Sequence, residues 1–115
     1  MTERALSEER LTVGAVTLDR AAHLVTVGAR AVLLAHQEFR LLDLLMSHAD
    51  HVVSNEQILR SIWGDGFGGD PGTVAVHISR LRRKLGLNGA SDHLRTVRGL
   101  GYIFDSTPVS PLNTR

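Results

Sequence analysis

The stretch from Pro71 to Leu85 constrains the fold most, because it carries two side-chain stripes at the spacing of a single helix. In each stripe the residues recur at i, i+4, i+7 and i+11, which keeps them on one helical face. The apolar stripe is Val74, Ile78, Leu81 and Leu85, and the polar stripe is Thr73, His77, Arg80 and Lys84. The pattern predicts a helix over 71–85 with one face in a core and a cationic face in solvent.

Boundary signals support this helix and a hairpin after it. Asp70 supplies an acceptor side chain, Pro71 suits the first helical position, and Gly86 ends the pattern. The apolar run over 96–102 is interrupted by two glycines, which predicts a β-hairpin with Arg98 near its tip.

The upstream sequence predicts a small sheet and two more helices. Short apolar bursts between residues 11 and 34 are separated by turn residues, as in an antiparallel meander. A period near 3.6 over 36–48 predicts a core-facing helix, whose first turn should be weakly held because Ala35 replaces a capping hydroxyl. Ser54 and Gln57 fit a capping box that opens the next helix, which ends in the glycine-rich residues 64–69. This order predicts an α+β domain.

Length and composition limit the class of protein. A chain of 115 residues is expected to form one domain, here residues 11–104, with a flexible N-terminal arm at 1–10 and a flexible tail at 105–115. It has no cysteine, which excludes disulfides and thiolate zinc sites. Its apolar runs are too short to span a bilayer, so we expect a cytoplasmic protein with no membrane partner.

The net charge of +1 conceals an uneven distribution. Residues 1–72 carry six arginines and ten acids, a net −4, whereas residues 73–115 carry seven Lys or Arg and two acids, a net +5. The sequence between Thr73 and Ser91 contains no carboxylate, and Arg95 and Arg98 add charge in the hairpin. A cationic helix followed by a basic hairpin favours a duplex nucleic acid as partner. The alternative is a solvated face whose cations only stabilise the helix C-terminus.

The sequence offers little to an enzyme. His48, Asp50 and His51 lie at a helix end without a convincing third ligand, which favours a surface turn over a metal site. The glycine-rich loop lacks the lysine of a phosphate-binding loop, and no nucleophile, base and orienting acid stand out together. We therefore expect no catalysis, no cofactor and no metal.

Several segments carry a resemblance to a known family. They are Gln37-Glu38-Phe39-Arg40-Leu41-Leu42, Val53-Ser54-Asn55-Glu56-Gln57-Ile58-Leu59, Trp63-Gly64, residues 73–85, and Thr96-Val97-Arg98-Gly99-Leu100-Gly101-Tyr102. Over about residues 11–104 the chain closely resembles the OmpR/PhoB-type winged-helix effector domain of bacterial response regulators. The resemblance implies an N-terminal four-stranded antiparallel sheet, a three-helix core and a C-terminal β-hairpin called the wing.

The resemblance also implies a function and a set of contacts. The domain would bind double-stranded DNA sequence-specifically as a transcriptional regulator, with helix 71–85 in the major groove and wing 94–104 at the minor groove. Arg80 would contact bases and Arg98 would approach the minor groove. The other expected DNA-binding residues are Trp63, Thr73, His77, Arg82, Arg83, Lys84, Thr96 and Tyr102.

The resemblance is incomplete and leaves alternatives open. Gly72 and Ala75 replace an arginine and an acid that are common in the family, which puts base preference at that end of the helix in doubt. The phosphorylatable receiver domain that usually precedes this module is not within the 115 residues, so either the chain is a segment of a longer protein or it works without phosphorylation. In the family, loop 64–72 can contact RNA polymerase, and two copies commonly bind direct repeats head to tail. The alternative function is a winged-helix protein-interaction module with weak or lost DNA binding.

Overall fold

The structure is a computed structural model, and it describes residues 9–64, 70–86 and 90–107. The strands are β1 (Arg10–Val13), β2 (Val16–Asp19), β3 (Leu24–Val27), β4 (Arg30–Val32), β5 (Val53–Ser54), β6 (Leu94–Val97) and β7 (Gly101–Phe104). The helices are α1 (His36–Ser47), α2 (Asn55–Trp63) and α3 (Pro71–Leu85), with a 3-10 turn at Ala90–His93.

The N-terminal strands form the predicted meander. They make a four-stranded antiparallel sheet in the order β1-β2-β3-β4. Val16 and Leu18 face the core while Thr17 between them does not, which is the two-residue alternation of a strand with one covered face. Gly14 and Gly28 form the hairpin turns with φ near +60°, a conformation that glycine adopts without strain.

The three helices enclose the main core. Both Leu41 and Leu42 of α1 are fully buried, and so are three members of the predicted α3 stripe, with Ile78 exposed by only 1%. The start of α3 is also as predicted, because the Asp70 carboxylate accepts from the Thr73 N–H at 3.3 Å. The amphipathic pattern of helix 71–85 is therefore confirmed.

The first turn of α1 is held in a way that the sequence analysis missed. Ala35 has no side chain that could cap the helix, but the Glu38 carboxylate accepts a hydrogen bond from the Ala35 N–H at 2.9 Å. This satisfies the N–H of the residue that precedes the helix, as the acid of a capping box does. The expected weakness of this turn is thus offset by an acidic side chain three residues downstream.

The hairpin belongs to a second sheet, in the order β5-β7-β6. The sequence analysis predicted β6 and β7 but missed β5, which is only two residues long and leads directly into α2. Gly101 on β7 is required by this pairing, because a Cβ there would overlap the carbonyl oxygen of Val53. The second sheet thus joins the wing to the start of α2.

Residues near both predicted boundaries of the domain contact the rest of the described chain. At the N-terminal end, β1 begins at Arg10, whose guanidinium pairs with Asp19 at 3.2 Å. At the other end, the Asp105 N–H donates to the His93 carbonyl, and Ser106 donates twice to Asp50. Within the described ranges, no helix has the length and apolar character needed to cross a membrane.

Candidate nucleic-acid interface

The outward face of α3 carries two free arginines. Since the apolar stripe faces the core, Arg80 and Arg83 are exposed. Within the described part of the chain, neither side chain makes a hydrogen bond or an ion pair. Val76 lies on the same outward side and is 47% exposed. This face can offer two unpaired guanidinium groups and an apolar contact to a partner.

A third free arginine lies at the tip of the wing. Arg98 is in the turn between β6 and β7, where Gly99 has φ +81° and the Leu100 N–H donates to the Val97 carbonyl at 2.9 Å. The Arg98 side chain is exposed and has no ion pair with any described residue. The predicted hairpin with an arginine at its tip is confirmed.

Arg82 instead joins α3 to the wing. Its Nε and Nη2 each lie 3.1 Å from the carbonyl oxygen of Leu94, and Nη2 also donates to the Thr96 hydroxyl at 2.9 Å. Arg82 is half-buried, whereas Thr96 is exposed. Two residues expected to contact DNA are therefore hydrogen-bonded to each other. This contact places the wing beside α3.

Lys84 has an acidic partner that the sequence analysis missed. Its Nζ lies 2.7 Å from Oε1 of Glu38, whose side chain is only 3% exposed. Burial by itself raises the pKa of Glu38, but hydrogen bonds from Lys84 and the Ala35 N–H, with the nearby positive charges of Lys84 and His77, lower it overall. The inference that the cations of α3 lack an acidic partner was therefore wrong for Lys84. It considered only carboxylates nearby in sequence.

A sequence signal for Glu38 did exist. This residue lies at i−3 and i−4 from Leu41 and Leu42, on the face of α1 that enters the core. An acidic residue on such a face requires a partner, because burying an unpaired carboxylate is unfavourable. What the sequence did not specify was that Lys84 supplies that partner.

Trp63, Thr73 and His77 lie together near the beginning of α3. The Trp63 and His77 rings meet edge to face with centroids 5.0 Å apart, and Nδ1 of His77 lies 2.9 Å from the Thr73 carbonyl oxygen. All three residues are half-buried, and Trp63 also packs against the core. These contacts orient His77. The residue therefore has a packing role within the protein, in addition to any contact with a ligand.

Tyr102 is mainly a core residue. It is 8% exposed and lies on β7 between Val53 and Thr96 of the neighbouring strands. Only a small part of Tyr102 is therefore accessible for the contact with a sugar-phosphate chain that the resemblance implies.

The other sequence candidates occupy different places. The rings of His48 and His51 contact carbonyl oxygens of their own turn, and Asp50 accepts from Ser106. The described ranges contain no cluster of three metal-ligating side chains. Of loop 64–72, residues 65–69 lie outside the described residues, so the expected polymerase contact has no structural counterpart here.

The arrangement defines a class of protein. A helical core in which α3 presents an exposed cationic face, beside a β-hairpin that carries another exposed arginine, is a winged helix-turn-helix. Residues 29–104 match the family model described as "Transcriptional regulatory protein, C terminal". The chain belongs to this family, whose members are the OmpR/PhoB-type winged-helix DNA-binding domains.

Individual relatives agree with this assignment. The phosphate regulon transcriptional regulatory protein PhoB of Rhizobium meliloti is 44% identical over 96 residues, which cover 84% of this chain and 42% of the relative. The sensory transduction protein RegX3 of Mycobacterium leprae is 38% identical over 102 residues, covering 88% and 52%. The chain thus spans about half the length of the curated relatives it matches.

Solved structures show the same fold. The RstA DNA-binding domain of Klebsiella pneumoniae, solved in complex with the RstA box, superposes with a TM-score of 0.74 at 28% identity, covering 86% of this chain and 99% of that one. The DNA-binding domain of CpxR from Escherichia coli gives a TM-score of 0.72 at 31% identity, with coverages of 84% and 95%.

Proposed function

We propose that this chain is the sequence-specific, double-stranded DNA-binding domain of a bacterial transcriptional regulator. The observation that carries the proposal is the placement of Arg80, Arg83 and Arg98, which are exposed and lack partners among the described residues. We call these three residues the recognition surface. They lie on two elements that Arg82 holds side by side.

The dimensions of α3 suit the major groove of B-DNA. Its 15 residues span roughly 22 Å at the standard helical rise. The groove is wide enough to admit a helix, and its edges carry a distinct pattern of donors and acceptors for each base pair. We assign Arg80 on the exposed face to base recognition and Arg83 to a phosphate.

The wing supplies a second contact on the same duplex. An arginine at the tip of a narrow hairpin can enter the minor groove, where the negative potential increases as the groove narrows. We assign this role to Arg98. Thr73 and His77 lie on α3, Thr96 lies on β6, and Trp63 packs against His77. We assign these four residues to the sugar-phosphate backbone, together with the small exposed part of Tyr102.

Related proteins support a DNA ligand. The Klebsiella RstA domain was crystallised with its box, and the Rhizobium PhoB protein is a regulator of the phosphate regulon. The same fold carries the recognition surface here. The specific operator has to come from selection of bound sequences in a random duplex pool.

Salt dependence tests the proposal directly. A protein that neutralises about four to six phosphates should lose affinity with a slope of log K against log salt of about −4 to −5. The experiment titrates the protein with a selected duplex at several salt concentrations. A flat salt dependence would overturn the proposal and favour the protein-interaction module.

A matched pair of variants localises the contact. Replacing all three residues of the recognition surface by glutamine should reduce the magnitude of the slope by up to about three. Arg10→Gln removes one exposed cation that is paired with Asp19 on the N-terminal sheet, and it should leave the slope unchanged. Equal slopes for both variants would place the DNA elsewhere on the protein.

Finer assignments belong to the same proposal. We place the protein in the cytoplasm, where its DNA would be, and we propose that two copies bind head to tail on direct repeats. Contact with RNA polymerase through loop 64–72 would be additional to DNA binding. Footprinting on one and two half-sites tests the pairing, because cooperative binding requires the second site at a fixed spacing.

A further inference from the structure

We propose that Arg82 is a positioning residue that fixes the wing against α3, and that it does not act as a phosphate ligand. Its effect on DNA binding rests on the proposed function above, but its contacts lie within the protein. Arg82 would therefore differ in role from its neighbour Arg83, although the two have the same side chain and adjacent positions.

The planar guanidinium of Arg82 donates its hydrogen bonds to a single strand, β6. Nε and Nη2 of Arg82 converge on the Leu94 carbonyl at 3.1 Å each, while Nη2 also reaches Oγ1 of Thr96 at 2.9 Å. Both acceptors are on β6, two residues apart. A guanidinium can make these contacts together because its donors lie in one plane, whereas a lysine ammonium is a point charge without this geometry.

The position of β6 explains why such a contact matters. Among the described strands, β6 lies at the edge of its sheet and pairs with β7 alone. The other limb of the hairpin is held twice, because β7 also pairs with β5 and the Asn55 N–H donates to the Leu100 carbonyl at 3.1 Å. Arg82 thus adds hydrogen bonds from α3 to the β6 limb, which has one strand partner among the described residues.

The competing role predicts a different chemistry. A phosphate contact lies outside the protein, so it leaves no trace in the free domain, and arginine and lysine can both make it, with arginine able to bind bidentately. Arg83 is the matched control, because it is exposed and has no partner in the described ranges. Faster amide exchange in β6 of the free protein on Arg→Lys substitution at 82 but not at 83 therefore separates positioning within the protein from binding to phosphate.

The first test uses the protein without DNA. In Arg82→Lys, amide hydrogen exchange in β6 and at Arg98 should accelerate about tenfold, since loss of a charge-assisted hydrogen bond reduces local stability by roughly that factor. Exchange in β7 should change less. Thr96→Val keeps the branched shape but removes the acceptor, and it should accelerate exchange in the same segment about threefold. Arg83→Lys should not change the exchange rate. Unchanged β6 exchange in both Arg82→Lys and Thr96→Val would overturn the proposal.

The second test measures binding to a selected duplex. If Arg82 positions the wing, Arg98→Ala should cost less affinity in an Arg82→Lys background than in the wild type, because the wing is already misplaced. The salt slope of Arg82→Lys should fall by no more than that of Arg98→Ala, because lysine keeps the charge at position 82 and only the contact of the wing is lost. Additive losses, or a slope reduced by about one in Arg82→Gln with normal exchange, would assign Arg82 to a phosphate instead. A wild-type protein that fails to bind DNA would refute the proposed function, whereas the exchange comparison would still decide the role of Arg82.

Discussion

The arginines of the scaffold and those of the recognition surface carry the same charge but have different surroundings. The scaffold arginines are Arg20, Arg30 and Arg40. Arg20 forms a two-pronged pair with Asp43 at 2.9 to 3.1 Å. Arg30 donates to the carbonyl of Leu85 at the end of α3, and Arg40 donates to the carbonyls of Ser61 and Ile62 at the end of α2.

This difference shows what defines a nucleic-acid surface. Helix C-termini expose carbonyl oxygens with partial negative charge, so a cation placed there forms hydrogen bonds within the protein and is not available to a partner. Arg80, Arg83 and Arg98 have no such acceptor within reach among the described residues. Counting cations along the sequence therefore overestimates the surface available to DNA, and the contacts of each guanidinium decide which residues remain.

The largest effect should come from the core side of α3. Leu81 is fully buried and lies between Arg80 and Arg82 in sequence. Leu81→Ala should lower the free energy of unfolding by about 2 to 5 kcal/mol, through lost transfer energy and the cavity that remains. Urea denaturation measures this loss. The comparison fails if Leu81→Ala costs no more stability than Arg80→Ala.

The next effect concerns DNA and not stability. Arg80→Ala should reduce the preference for the selected duplex over a random one by about 1 to 3 kcal/mol, because a base contact discriminates between sequences. Arg83→Ala should weaken binding to both duplexes alike. Parallel binding titrations of the two variants measure both quantities. An unchanged ratio of specific to random affinity in Arg80→Ala would show that this residue does not contact bases.

A smaller effect should appear at the pair between α1 and α3. Glu38→Gln removes the charge that Lys84 meets, and it should cost about 1 to 2 kcal/mol near neutral pH, with partial solvent screening on the lysine side. Because the pKa of Glu38 is lowered in the folded state, its contribution is present above the ordinary glutamate pKa of about 4.5 and is lost as the pH falls through the folded pKa. The wild type and the variant should therefore converge in stability once the pH lies below the folded pKa of Glu38.

Urea denaturation at neutral pH and at a series of decreasing pH values checks this convergence. The pKa values of Asp19 and Asp50 are also lowered. The largest cause is a hydrogen bond from a backbone N–H, that of Ala22 to Asp19 and that of Ser106 to Asp50. These two groups titrate alike in both proteins and cancel in the difference. A stability gap that persists undiminished in acid would mean that Glu38 acts through its shape and not its charge.

Local signals made much of the fold predictable from the sequence. The start, the end and the buried stripe of α3 depend on residues within one or two helical turns. The same holds for the cap of α2, where the Ser54 hydroxyl accepts from the Gln57 N–H at 3.0 Å. The hairpin tip follows from two glycines and the alternation around them. Exposure of Arg80 then follows from the helical period alone.

Contacts between distant parts of the chain were not predictable in this way. β5 forms because Val53 pairs with Tyr102 on β7. A strand of two residues is too short to show the alternation of apolar and polar residues from which strands are predicted. Lys84 meets Glu38 from 46 residues away, and Arg82 meets the carbonyl of Leu94, a backbone group that every residue possesses. The sequence therefore indicated the cationic elements but not which cations the fold would use internally.

The smallest effect should be a gain in the scaffold that leaves the recognition surface unaltered. Ala35 has the extended backbone of an N-cap, with φ −66° and ψ 159°, and its N–H already bonds to Glu38. Ala35→Ser adds the missing hydroxyl and completes the capping box, so the free energy of unfolding should rise by about 0.5 to 1 kcal/mol. Ala35→Val, which supplies no hydroxyl and is as poor an N-cap residue as alanine, is the control and should give no comparable gain. DNA affinity and salt slope should equal those of the wild type in both variants, because α1 stabilises α3 without presenting residues to the duplex. A change in DNA affinity without a change in stability would show that the start of α1 belongs to the DNA interface, and the division between scaffold and recognition surface would then be wrong.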